Sequence, residues 1–78
     1  MKTTAYFDSL KSRPDRAAIK EEWILQTIES PDREHVQTDG RIRCWRKIDE
    51  AGGKYLRVIL LADRTTVHNA FFDRGYKS

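Results

Sequence analysis

The hydrophobic pattern changes its period once, at Pro31, and that change limits the fold more than any other feature of the chain. Before it, Ile19, Trp23, Ile24, Thr27 and Ile28 recur at three- and four-residue steps, with Lys20, Glu21, Glu22, Gln26 and Glu29 on the other side. This is the stripe of an amphipathic helix. Glu21 and Glu22 suit the positive end of the helix dipole, and Ser30-Pro31 ends the helix because the residue before a proline is pushed out of the α region. Tyr6, Phe7 and Leu10 predict one short preceding helix, stopped at Ser12-Arg13-Pro14. After Pro31 the apolar residues alternate singly, as in strands that bury one face. His35-Val36-Gln37-Thr38 leads into Asp39-Gly40, which predicts a two-residue type I′ hairpin with positive φ at both central positions. Arg41 to Ile48, Lys54 to Leu61 and Thr65 to Phe72 follow as strands, separated by turns at 49–53 and 62–64.

These elements predict an α+β fold in which one or two N-terminal helices pack on one face of a four-stranded antiparallel meander. The 78 residues make a single domain, 1–78, with no room for a separate cofactor domain. A chain this short buries only about 60% of its unfolded surface, so the core is one layer deep. Mixed charges and three kinds of aromatic side chain distinguish the composition from that of a disordered chain. No apolar run reaches the roughly 18 residues of a membrane span, and no signal-peptide core precedes the first helix. The single cysteine, Cys44, has no partner for a disulfide, and zinc spacings such as CxxC are absent. A soluble protein of the reducing cytoplasm, with no metal, no small-molecule cofactor and no membrane, is the expectation.

Strand alternation sorts the side chains between two faces. One face collects Ile42, Cys44, Leu56, Val58, Leu60, Val67 and Phe71, which meet the helices, with Asn69 among them. The other collects Arg41, Arg43, Trp45, Lys47, Tyr55, Arg57 and His68, followed by Arg74 and Tyr76 beyond the last strand. The charge is distributed to match. Residues 1–40 hold six Lys or Arg against eight Asp or Glu, a net of −2, whereas residues 41–78 hold nine against four, a net of +5. Five of those nine cations (Arg41, Arg43, Lys47, Arg57 and, at the rim, Arg74) fall on or beside the uncovered face.

Cations interleaved with Trp45 and Tyr55 suit a single-stranded nucleic acid, because guanidinium and ammonium groups meet phosphates while the rings stack on unpaired bases. His68, with an ordinary pKa of about 6.5, has the chemistry of a general acid or base on an RNA 2′-hydroxyl or leaving oxygen. Arg57 and Arg74, with Arg43, would then hold the phosphate and stabilise its transition-state charge. An ordinary polar sheet face has many of the same residue types, and His35, near the start of the first strand, reads as structural.

The stretch from Ile19 to Pro31, followed by Arg41-Ile42-Arg43-Cys44-Trp45, Leu56-Arg57-Val58-Ile59-Leu60 and Val67-His68-Asn69-Ala70-Phe71-Phe72-Asp73-Arg74, resembles the small bacterial domains related to BrnT, which belong with the RelE-like toxin superfamily. That resemblance, over residues 19 to 77, implies helices against a curved antiparallel sheet. In the toxin members it also implies metal-independent RNA cleavage and pairing with an antitoxin. Arg43, Arg57 and Arg74 correspond in position to the basic residues such toxins use. The chain departs from related domains upstream of the helix, where it reads Asp8-Ser9-Leu10 and many carry a histidine. Two functions follow as expectations. One is an RNA-binding protein or metal-independent toxin-like endoribonuclease, with a cognate antitoxin. The other is a non-catalytic protein-interaction module with no nuclease activity, receiving a partner on the same face or on an open sheet edge.

Overall fold

In the computed structural model, which describes residues 1–77, the N-terminal third forms three short helices: α1 (Ala5–Leu10), α2 (Pro14–Ala17) and α3 (Glu21–Glu29). Thr4 caps α1, its hydroxyl accepting from the Phe7 N–H at 3.1 Å. Pro14 opens α2, a turn the sequence pattern does not predict, at a position where the missing N–H costs nothing. Helix α3 starts at Glu21, so Ile19 lies just before it and packs against the core from the connecting segment.

Four strands follow, β1 (Arg33–Val36), β2 (Ile42–Ile48), β3 (Lys54–Leu60) and β4 (Val67–Phe72), with a single 3-10 turn at Asp49–Ala51. They pair antiparallel in the order β1-β2-β3-β4, the meander expected. Helix α3 lies over β2 and β3, and α1 lies against β4. Phe7, Trp23 and Ile24 from the helices meet Ile42, Cys44, Ile48, Leu56, Val58, Leu60, Val67 and Ala70 from the sheet in one buried cluster. Among the described residues, no helix is long and apolar enough to cross a membrane.

Two local details differ from the expected pattern. The first hairpin is one residue longer than a type I′ turn. Gly40 has φ +90° while Asp39 keeps a negative φ, the Gly40 N–H donates to the Gln37 carbonyl at 3.0 Å, and the Gln37 N–H donates to the Arg41 carbonyl at 2.7 Å. This is a three-residue loop with its glycine in the left-handed position. It pairs Val36 with Ile42 and His35 with Arg43, so His35 shares a face with Arg43.

The second difference is a bulge in β4. Ile59 pairs with Asn69 but Leu60 pairs with Val67, leaving His68 as the extra residue. Beyond a bulge the strand parity reverses. Val67 stays in the core, but Ala70 and Phe72 take the covered side, with Phe72 edge-on to Trp23 at 6.0 Å between ring centroids. Phe71 and Asn69, expected in the core, turn to the other face beside Arg57 and Ile59. The outer edge of β4 is met at its first residue by the N-terminal segment, where Val67 donates to the Lys2 carbonyl at 2.9 Å and accepts from the Thr4 N–H at 3.0 Å. The outer edge of β1 is open, and all four of its residues are exposed.

Cys44 shows how the core registers in a measurable property. Burial, with Glu34 nearby adding to it and Arg64 opposing, pushes its thiol up from 9.0 to about 11. The native state therefore holds this proton more tightly than the unfolded chain does. The resulting stability is complete below pH 9 and is lost as pH rises towards about 11. Chemical denaturation across that range should show a steeper loss for the parent than for Cys44→Ala; equal slopes would contradict the burial of the thiol.

Candidate nucleic-acid interface

Across the face that the helices leave uncovered, strand register places Arg33, Trp45, Arg57 and Phe71 in one row. His35, Arg43, Ile59 and Asn69 form the next, and Lys47 stands opposite Tyr55. The Arg57 guanidinium lies 5.4 Å from the Trp45 ring centroid and 5.3 Å from that of Phe71, so it is held between two rings. Arg16 reaches from α2 to the Phe71 ring at 5.3 Å, also donating to Asn69 Oδ1 and to the Ala70 carbonyl. Cation and ring thus alternate across the sheet, each contact contributing about 0.5–2 kcal/mol according to its exposure to solvent.

Asp73 ties this row together just past the end of β4. Its Oδ2 accepts from Trp45 Nε1 at 3.0 Å and from the Arg57 guanidinium at 3.4 Å, and its backbone N–H donates to the Tyr55 carbonyl at 2.9 Å. Burial, and then the nearby Arg43 charge, lowers the pKa of the Arg57 guanidinium, and Asp73 opposes them only in part. From Asp73 the chain turns back over the face. The Tyr76 ring stacks on Trp45 at 5.2 Å and tilts onto Tyr55 at 4.7 Å. That cover is why Trp45 is only 8% exposed on a side with no helix.

Beside this cover runs an open groove of about 450 Å³, lined by Arg33, His35, Arg43, Trp45, Asp73, Gly75, Tyr76 and Lys77. Its one carboxylate, Asp73, is already engaged by Arg57 and Trp45. Among the described residues, neither Arg33 nor Arg43 has a carboxylate within ion-pair distance, and Arg43 Nε is buried with no hydrogen-bond partner. A smaller hollow of about 280 Å³ lies beyond Tyr76, lined by Lys54, Tyr55, Phe72, Asp73, Arg74 and Tyr76.

The residues expected at this face are thus divided. Arg43, Trp45, Tyr55 and Arg57 come together, but Arg57 is occupied by Asp73 and two rings. Arg74 stands at the rim of the smaller hollow, exposed, and Lys47 is exposed opposite Tyr55. Arg41 sits at the hairpin loop, paired with Asp39 at 3.9 Å and outside the groove lining. His68 does not join the arginines. The bulge turns it towards α1, where its ring stacks on Tyr6 at 5.0 Å and its Nδ1 lies 3.1 Å from the Thr4 hydroxyl.

Arg33 and Lys77 were outside the expected set, and His35, read as structural, lines the groove. The longer hairpin loop is what brings His35 beside Arg43. Asp73 pairs with Arg57 and not with its neighbour Arg74, which only the fold of the C-terminal segment determines. Among the described residues, no three His, Cys, Asp or Glu side chains gather as a metal site requires. No protein-family model, curated protein or solved structure matches this chain.

Asp73→Ala should leave the Trp45 indole N–H and the Arg57 guanidinium unsatisfied at a partly buried site and cost about 1–3 kcal/mol in denaturant unfolding. Asp73→Asn keeps an acceptor for the indole and should recover part of that loss. An unchanged midpoint for Asp73→Ala would show that the carboxylate does not hold the face together.

Proposed function

We propose that the chain is a small domain that binds single-stranded RNA along its uncovered sheet face, with the phosphate backbone in the groove of Arg33, His35, Arg43 and Lys77. The observation that carries this reading is the charge balance of the groove: its cations gather around one carboxylate that is already engaged. Cations placed close together without counter-charges repel one another in the free chain, and an anionic ligand relieves that repulsion. The aromatic residues beside them, Trp45 and Tyr55, on which the Tyr76 ring already packs, supply the flat surfaces that unpaired bases use.

Cleavage in the manner of the RelE-like toxins asks for a proton-transfer group beside the held phosphate. The His68 ring, engaged by Thr4 and Tyr6 away from the groove, lends that step no support, and the activity proposed is binding, with His35 as the histidine beside the phosphate. A second reading has its own observation. The β1 edge is open along all four residues, and a partner protein, such as an antitoxin of the kind the resemblance implies, would dock there by adding a strand.

The two readings separate in one titration series. A short single-stranded oligoribonucleotide should bind with an affinity that falls steeply with salt, and Arg43→Ala should flatten the log–log slope by about 0.7, the equivalent of one phosphate contact on a single strand. Arg41→Ala, outside the groove, should change it less. No RNA affinity at low salt, together with recovery of one stoichiometric protein partner, would favour the strand-addition reading.

A further inference from the structure

Tyr76 occupies a position that the groove's chemistry would reserve for a ligand. Its ring sits against two aromatic side chains at once, Trp45 at 5.2 Å and 23° between planes and Tyr55 at 4.7 Å and 46°. Trp45 comes from β2 and Tyr55 from β3, and both are held in place by the sheet and by Asp73. Tyr76 is held differently. It lies past the last strand, after Gly75, whose N–H donates to Asp73 Oδ1 at 3.0 Å, and its own backbone N–H donates to the Asp73 carbonyl at 3.4 Å. An aromatic cleft set on the sheet is therefore filled by a ring on a short segment whose backbone hydrogen bonds both go back to Asp73. The cleft shares Trp45 and Tyr76 with the cationic groove, so a phosphate beside Arg43 brings its own base within reach of the same surface.

We propose that the cleft between Trp45 and Tyr55 is the nucleobase subsite of this domain, and that Tyr76 is a displaceable occupant that a stacked, unpaired base replaces. This rests on the RNA-binding reading and adds to it where the base goes and what must move. Asp73 stays in place, since its backbone bond to Tyr55 continues the sheet and its carboxylate keeps Trp45 and Arg57 oriented. Residues 74–77 swing away from it. Because the base exchanges one ring for another, stacking contributes less net affinity in the intact chain than the same surface would contribute bare.

The test compares the full-length parent with Tyr76→Ala, using two probes of equal length: a single-stranded oligouridylate and an abasic ribose-phosphate oligomer. Tyr76→Ala should bind the base-bearing probe roughly tenfold more tightly, the equivalent of part of one stacking contact, and the abasic probe unchanged. Equal or weaker binding of the oligouridylate by Tyr76→Ala would overturn the subsite while leaving the RNA-binding reading intact. Tighter binding of both probes would overturn it in favour of simple unblocking of the groove. No binding of either probe by either protein would overturn the RNA-binding reading and the subsite with it. A second measurement guards against misfolding of the variant. In the parent, through-space NMR contacts between the Tyr76 and Trp45 rings should vanish when oligouridylate binds, while the Trp45 indole N–H keeps its hydrogen-bonded shift. Persistence of the ring contacts in the complex would refute displacement.

Discussion

One additional residue in the last strand decides what most of the sheet can do. Where Val67 and His68 together face Leu60, the parity of β4 reverses, and each side chain after that point changes face. Ala70 and Phe72 enter the core, where Phe72 meets Trp23, and Phe71 comes out opposite Arg57. Without the bulge, Ala70 and not Phe71 would stand opposite Arg57. Val67 stays buried while its backbone bonds outward to the N-terminal segment, which covers the start of the β4 edge. The bulge also gives His68 to α1.

The helices cover only one side of the sheet, and the other is closed by polar chemistry. Trp45 reaches a core-like burial through Arg57, Asp73 and Tyr76, not through an apolar layer. Such a cover differs in kind from the core under α3. An aliphatic core excludes any ligand, whereas stacked rings and partly buried guanidinium groups present surfaces that other rings and other anions can use in turn. Charge follows the same division. Arg57 with Asp73 and Arg64 with Glu34 are cations paired within the fold, whereas Arg33 and Arg43, which among the described residues have no carboxylate within ion-pair distance, line the groove.

Much of the fold was legible in the sequence because it rests on periodicity. The stripe of Trp23, Ile24 and Thr27 marks α3, and single alternation through Ile42, Cys44, Leu56 and Val58 marks the covered face of β2 and β3. Where the pattern depends on one residue more or less, alternation carries no warning. The hairpin at Asp39-Gly40 takes a third loop residue, and β4 takes an extra one at His68, each moving a histidine to a place the pattern does not indicate. For the candidate site, strand alternation put Arg43, Trp45, Tyr55 and Arg57 on the uncovered face, where the structure has them. Alternation did not pair Asp73 with Arg57 or lay Tyr76 over Trp45, since both depend on the course of a segment with no periodic pattern of its own.

The most direct measurement of the central claim is a backbone and indole NMR titration of the full chain with a single-stranded oligoribonucleotide at low salt. Binding in the groove predicts that shift changes concentrate at Arg33, His35 and Arg43, at the Trp45 indole, and in residues 74–77, with α3 and the Thr4–Tyr6–His68 cluster unaffected. Shift changes confined to the outer edge of β1, or centred on His68, would contradict the account.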